Sequence, residues 1–309
     1  MKISIIIPVY NGSKYIEQRF AELKYYHNQE AEIIFVNDGS TDNTKALIEK
    51  HRGSLKTNIE QLSIINLKPN MGEHYARKMG AEAANNDDIY MADIDDPLSL
   101  SSLYALKYEL QSLMPKTLLI IPKQIFVDGK PTGEVWRIPP ANHPEEYMMR
   151  ALIKQCGQIP LNNTILDKTM LLEAMAEVDN LLKAVGVRRL DFCVDSLTAN
   201  VMIKSGLVKH IVQSESITAP YTKDNDESLS KNRSKRLANL PVFIGHLYHH
   251  FYSQFEDTDI AEKAEFEATF KDIVKMYHKT KWKKFHEDCL KYAERFGKYY
   301  LTNIDNLII

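Results

Sequence analysis

The segment Ile3-Ser4-Ile5-Ile6-Ile7-Pro8-Val9 constrains the fold more than any other feature of this chain. It is β-branched and nearly continuous in apolar character, whereas a strand with one wet face would alternate. Such a strand has to be covered on both sides. The pattern then recurs: Glu32-Ile33-Ile34-Phe35-Val36, Leu62-Ser63-Ile64-Ile65-Asn66 and residues 89–92 read as three more strands. Helical patterns separate them. The first can be capped by Ser13 and carries Ile16, Phe20 and Leu23 inward; the second carries Ala46, Leu47 and Ile48; the third covers residues 72–84. This alternation has the spacing of right-handed βαβ crossovers, so about the first hundred residues are expected to form a parallel α/β sheet.

In such sheets ligands bind beyond the carboxyl ends of the strands. Asn11, Asp38, Asn70 and Asp93 all fall at those ends, and that convergence points to one site. The fourth strand runs into Asp93-Ile94-Asp95-Asp96, three carboxylates in four positions. Like charges packed so tightly repel, and they are expected together mainly where something positive lies between them. A divalent cation bridging a diphosphate fits, because Mg2+ and Mn2+ take carboxylate and phosphate oxygens. Alone, the run would read equally well as an acidic turn.

Beyond Asp96 the pattern loosens. A helix over residues 101–113 leads to a strand over 117–127 with a hairpin-like Asp128-Gly129-Lys130, and residues 131–160 are rich in proline and loop formers. Helices are expected at 168–178 and 192–205, a short strand at 208–212, and a mostly helical stretch over 235–296 broken near Glu256-Asp257-Thr258.

The quoted residues resemble a known family. Ile5-Ile6-Ile7-Pro8-Val9-Tyr10-Asn11 and Val36-Asn37-Asp38-Gly39-Ser40-Thr41-Asp42 look like the two opening motifs of family-two inverting glycosyltransferases. Asn70-Met71-Gly72 with Ala76-Arg77 and Gly80 is similar to the third motif, and Asp93-Ile94-Asp95-Asp96 to the acidic metal-binding motif. Four motifs in the family's order are specific where one would be weak. The clear resemblance covers residues 2–97, with a thinner continuation to about residue 230.

The resemblance implies a GT-A fold: a Rossmann-like, mostly parallel central sheet flanked by helices. It implies a nucleotide-sugar donor, most readily UDP-linked, and Mg2+ or Mn2+. By position, Pro8, Tyr10 and Asp38 hold the nucleobase and ribose, with Asn11, Asn70 and Gly72 in the same pocket, and Arg77 lies near the diphosphate. Asp93 touches the ribose or a metal-bound water, Asp95 ligates the metal, and Asp96 stands beside the sugar or just behind. Lys78 departs from the family's frequent asparagine.

Inverting transfer needs a base for the acceptor hydroxyl and a cation for the departing diphosphate. In the family the base opens a helix that ends at a glycine, followed by a strand and a serine-rich segment. Asp195, eleven residues before Gly206 and upstream of Pro220-Tyr221 and Ser228-Leu229-Ser230, matches that place, although Val194 replaces a frequent glutamate. Asp191 competes, one helical turn earlier.

The rest of the chain narrows the class. A net charge of -2 gives no global case for nucleic acid. Cys156, Cys193 and Cys289 have no metal or redox spacing and read as reduced thiols in a cytoplasmic protein. Residues 3–9 are too short for a signal-peptide core, and no stretch reaches the ~20 apolar residues of a spanning helix. His246, His249 and His250 lie at helical spacing without a nearby carboxylate or cysteine, so packing or surface roles are expected. The tail with Lys281-Trp282-Lys283-Lys284-Phe285, Tyr292, Phe296, Tyr299, Tyr300 and Leu307-Ile308-Ile309 leaves two readings open. It rests peripherally on the inner face of a membrane beside a lipid-linked acceptor, or it packs on the protein or a second copy in a homodimer.

The sequence therefore predicts a GT-A domain over residues 1–230, with a nucleotide-sugar half (1–97) and an acceptor half (98–230), and a helical extension over 231–309. The expected activity is hexosyl or N-acetylhexosaminyl transfer to a glycan or glycoconjugate in surface polysaccharide synthesis. Two alternatives stand beside it. A sugar-phosphate nucleotidyltransferase needs a glycine-rich N-terminal loop, where this chain has Pro8-Val9-Tyr10-Asn11-Gly12. A non-catalytic sugar-nucleotide-binding or scaffold protein would not need the acidic motif.

Overall fold

The computed structural model describes residues 2–23, 31–53, 61–96, 106–127, 130–138, 140–152, 159–190, 193–222, 233–256, 259–277 and 280–302. Its strands are β1 (Ile3–Val9), β2 (Ala31–Asn37), β3 (Gln61–Asn66), β4 (Asp88–Met91), β5 (Thr117–Ile120), β6 (Lys123–Val127), β7 (Lys130–Trp136), β8 (Thr164–Asp167), β9 (His210–Gln213) and β10 (Ala219–Thr222). The helices are α1 (Ser13–Leu23), α2 (Thr44–Arg52), α3 (Glu73–Ala83), α4 (Leu106–Ser112), α5 (Pro144–Leu152), α6 (Lys168–Ala184), α7 (Val194–Lys204), α8 (Arg233–Tyr252), α9 (Ile260–Tyr277) and α10 (Trp282–Thr302).

The chain divides into two units. The first, Met1–Ile138 with Pro160–Met175 and Val208–Asp226, holds all ten described strands. Its main sheet has the order β3-β2-β1-β4-β8-β5-β9, and β10-β6-β7 form a second sheet. The first four strands are parallel, with Ile6 opposite both Ile34 and Met91. The expected α/β sheet is thus present. β8 runs against both β4 and β5, so the sheet is only mostly parallel.

Alternation along β1 explains its unbroken apolar character. Ile3, Ile5 and Ile7 join Ile33 and Phe35 of β2 in a core with Ile16, Phe20 and Leu23 of α1 and Ile48 of α2. Phe20 stacks on Phe35 with centroids 5.2 Å apart. Ile6 and Val36 point the other way, onto α3. There a Cβ added to Gly80 would stand 2.4 Å from Ile6 Cγ2 and 3.1 Å from Val36 Cγ2, so the helix packs on the sheet only because residue 80 has no side chain.

Several expectations change. Of the expected Ala46, Leu47 and Ile48, Ile48 is buried, Leu47 half-buried and Ala46 exposed, and α2 buries Thr44 as well. The single strand expected over 117–127 is two strands in different sheets, β5 and β6, broken at Ile121-Pro122, because proline cannot donate to a ladder. Residues 131–160 are not all loop: they contain most of β7, and α5, which opens on Pro144 with Glu145 and Glu146 in its first turn. β8 and β10 are additional strands. Val127 pairs with Lys130, which closes the expected hairpin, while residues 128 and 129 lie outside the described set.

The second unit, Pro139–Ile159 with Ala176–Leu207 and Glu227–Ile309, is helical where described. α8 brings Phe243, Ile244 and Leu247 into a core that α10 completes with Phe285, Cys289 and Phe296. His246 lies edge-on to Phe296 and meets the Tyr300 hydroxyl at 2.9 Å, and His249 stacks on the Tyr300 ring. These histidines are packing groups. Burial depresses all three, His249 and His250 to about 4. Among the described residues no helix is long and apolar enough to cross a membrane.

Candidate active site

The carboxyl ends of β1 and β2 are tied together by side chains reaching for backbone amides. Asn11, at φ 50°, accepts through Oδ1 from the Thr41 amide at 2.8 Å, and its own amide donates to Ser40 Oγ at 3.0 Å. The Gly12 amide donates to Thr44 Oγ1 at 2.9 Å, and the amides of Ser13 and Thr44 donate to the two oxygens of Asp42. Burial opposes charge on Asp42, but hydrogen bonds from Thr44 and Ser13 outweigh it and hold the carboxyl below its usual range. Residues 11–13 and 40–44 therefore form a fixed rim.

Asp38 is the hub of the neighbouring loop. Its carboxylate, only 3% exposed, accepts from the Met71 amide at 2.7 Å, the Gly72 amide at 2.8 Å and Asn70 Nδ2 at 2.9 Å. Asn70 Nδ2 also reaches the Asp38 carbonyl at 2.8 Å. Gly39, at φ 67°, lets this loop close, since a Cβ there would lie 2.6 Å from the Asn70 nitrogen. Tyr10 is 51% exposed at the end of β1, and Pro8 is half-buried.

α3 carries the connection onward. Gly72 precedes its first turn, and Arg77 one turn later is 1% exposed. The Arg77 guanidinium donates to Asp93 Oδ1 at 2.8 Å and pairs with Glu73 at 2.5 Å. With the guanidinium buried and both carboxylates partly exposed, desolvation of Arg77 offsets much of the attraction, so the pair fixes position more than it adds stability.

The acidic motif has a second set of supports that the sequence did not disclose. Arg19 of α1, 1% exposed, donates to the Asp96 carbonyl and pairs with Glu22 at 2.9 Å. Asn162 Nδ2 donates to Asp96 Oδ2 at 3.2 Å, and Asn162 Oδ1 accepts from Lys123 Nζ at 3.0 Å. Lys123 Nζ also lies 4.7 Å from the centroid of Tyr221. Burial and the charge of Asp93, with Asp95 behind it, push the Asp96 carboxyl up to about 7 against the pull of Lys123 and Arg19. Tyr221 is raised as well, by burial and then by Asp96, Asp95 and Asp93. A signal for Arg19 existed: it occupies the inward stripe with Ile16, Phe20 and Leu23. For Lys123 and Asn162 none did.

Among the described residues no three metal-ligating side chains form a ready-made cage. The donors at the motif are nonetheless carboxylate oxygens only, and Asp95 is half-buried beside Asp96. Mg2+ and Mn2+ commonly take one or two carboxylates and complete their shell with phosphate and water, so the donor set suits them.

The family model described as "Glycosyl transferase family 2" matches residues 4–165, just over half of the chain, and covers the four motifs up to Asp96. The chain belongs to glycosyl transferase family 2.

Relatives within the family include the teichoic acid poly(glycerol phosphate) polymerase of Staphylococcus epidermidis, 30% identical over 130 residues, 42% of this chain and 17% of that protein. The poly(ribitol-phosphate) beta-N-acetylglucosaminyltransferase TarS of Staphylococcus aureus is 31% identical over 105 residues, 33% of this chain and 18% of that one. The prophage bactoprenol glucosyl transferase homolog of Escherichia coli is 33% identical over 108 residues, 32% of this chain and 33% of that one. The matches thus span a third or less of these relatives. Among solved structures, a Staphylococcus aureus TarS fragment in complex with UDP-GlcNAc aligns over 96% of this chain and 89% of that one at TM-score 0.54 and 17% identity. The mannosyltransferase PcManGT of Pyrobaculum calidifontis, in complex with GDP-Man and Mn2+, aligns over 96% and 74% at TM-score 0.52 and 12% identity. Both identities carry the fold alone, and the fold is GT-A.

Of the expected site residues, Asp38, Asn70 and Gly72 meet in one clasp, Asn11 holds the Ser40-Thr41 end of the loop that follows Asp38, Arg77 joins Asp93, and Asp96 joins Asn162. Asp195 belongs to the second unit, in the first turn of α7. That helix is buried throughout except at Asp195 and Lys204. It starts at Val194, later than expected, because Cys193 before it is left-handed at φ 64°. Asp191 and Ser228 to Ser230 lie outside the described residues.

Proposed function

We propose that this family-two protein is an inverting, metal-dependent glycosyltransferase that moves a hexosyl or N-acetylhexosaminyl group from a UDP-linked donor to a hydroxyl of a glycan or lipid-linked acceptor. The observation that carries the reading is the convergence of the Asp38 clasp, the Arg77–Asp93 pair and the acidic motif at the carboxyl ends of parallel strands. The relatives' names, a teichoic acid polymerase and a bactoprenol glucosyl transferase homolog among them, favour surface polysaccharide synthesis. TarS, 31% identical over 105 residues, is seen with UDP-GlcNAc, and this favours a UDP donor.

In this reading Tyr10 offers its exposed ring to the base, and Asn11 with the clasp of Asp38, Asn70 and Gly72 receives the nucleoside. Arg77, near the diphosphate end of the pocket, keeps Asp93 in place. Asp95, with Asp96 behind it, would hold Mg2+ or Mn2+, which supplies positive charge to the departing diphosphate. Asp195 takes the proton of the acceptor hydroxyl as its oxygen attacks the anomeric carbon and the bond to the nucleotide breaks, inverting that centre.

Thermal stabilisation and donor hydrolysis across a panel of nucleotide sugars, with and without Mn2+, test this directly. Metal-dependent stabilisation by one donor with slow release of its nucleotide is expected. Silence toward every donor would leave a scaffold role.

A further inference from the structure

We propose that Lys123 binds a phosphate oxygen of the ligand that gathers at the acidic motif, an inference that rests on the glycosyltransferase reading. Lys123 opens β6 directly after the Pro122 break, so the chain leaves the main sheet and sets this side chain beside the carboxyl end of β4. An ammonium has three N–H groups. One donates to Asn162 Oδ1 at 3.0 Å, and the Tyr221 ring takes the cation from another side at 4.7 Å. Among the described residues Lys123 makes no ion pair with a carboxylate. Asn162 stands between it and Asp96, donating to Asp96 Oδ2 at 3.2 Å, and so keeps cation and carboxylate apart.

This arrangement fixes a positive charge close enough to act on Asp96 but without a direct ion pair to it. Tyr221 and Asn162 restrict the stem, and Asn162 is 7% exposed. A lysine held to balance the motif would be expected to pair with a carboxylate outright. A lysine held at a distance from it leaves one N–H for an arriving anion. The anions that belong beside such a motif are phosphates, carried either by the donor diphosphate or by a phosphate-bearing acceptor. The shared chemistry is a phosphate oxygen, and binding measurements separate the two sources.

Titration calorimetry with Lys123→Gln, which keeps a donor for Asn162 but removes the charge, compares UDP, uridine and glycerol phosphate in the presence of Mn2+. A loss of about tenfold for UDP with uridine unchanged assigns Lys123 to the donor diphosphate. An unchanged UDP affinity with about tenfold weaker glycerol phosphate, measured on the UDP-loaded protein, assigns it to the acceptor. Lys123→Arg should stay within about threefold of the wild type in either arm. Wild-type affinity of Lys123→Gln for both phosphates overturns the proposal, as does an equal loss for uridine and UDP. A wild-type protein that binds no nucleotide overturns the donor reading instead; inorganic pyrophosphate with Mn2+ then tests Lys123, and equal or absent binding in wild type and variant overturns it. Should Lys123→Gln fail to fold, Tyr221→Leu frees the ammonium from its wall, and unchanged phosphate affinity there counts against the proposal.

Discussion

Replacing Asp38 with asparagine separates two uses of one carboxylate. The sequence motif places it on the nucleoside, while the structure engages both of its oxygens with the 70–72 loop. In Asp38→Asn one oxygen becomes an NH2. The better orientation keeps the remaining oxygen toward Asn70 and Gly72 and turns the NH2 against the Met71 amide, donor facing donor. One charge-assisted bond is lost and a nearly buried N–H is left unmet, costing about 3 kcal/mol. For a unit of this size that lowers the melting temperature by about 6–12 °C. Calorimetric melting of the variant measures the total, and hydrogen exchange at the Met71 and Gly72 amides measures the loop, where protection should fall first. A variant that melts with the wild type and keeps those amides protected, yet binds UDP tenfold more weakly, would refute the clasp and return the carboxylate to the ligand.

Gly80→Ala forces a methyl into Ile6 and Val36, so it should destabilise by about 1–3 kcal/mol and weaken the Arg77–Asp93 contact by lifting α3; urea unfolding checks the first effect. Asp195→Asn should cut turnover about a hundred- to ten-thousand-fold with donor affinity unchanged, and a parallel loss of donor binding would remove it as the base. His250 is held to about 4, chiefly by burial and then by Lys204, so the fold keeps it neutral. Its contribution is complete above the unfolded value near 6.5 and fades as the pH falls toward 4, by about 3 kcal/mol in all. The stability difference between wild type and His250→Gln, followed by urea unfolding from pH 7.5 to 4.5, should shrink with acid; a difference independent of pH would contradict the assignment.

The half of the fold that was legible shares one physical property. β1, β2 and β4 are buried on both faces, and each ends in polar turn residues, so periodicity and turn chemistry agreed. β8 and β10 are four residues each and owe their existence to partners distant in the chain, which no local window contains. The motif residues were legible for the same reason the strands were: they stand where strands stop. What they do there was not. Nothing in Asp38-Gly39 reveals that the carboxylate is already claimed by residues thirty-odd positions on. Nothing near Lys123 reveals Asn162, because a tertiary hydrogen bond leaves no trace in spacing.

The reversed strand β8 has a consequence for how the chain is made. It lies between β4 and β5 and pairs with β4 from Asp88 opposite Asp167 to Met91 opposite Thr164. During synthesis the first four strands emerge well before it, and at that stage β4 presents Ile89, Tyr90 and Met91 along a bare edge. Such an edge recruits any other extended chain. A nascent chain folded to that point would keep this pairing capacity until the Asn162-Asn163 turn delivers β8. The same turn places Asn162 on Asp96, so closing the sheet and bracing the acidic motif are one event.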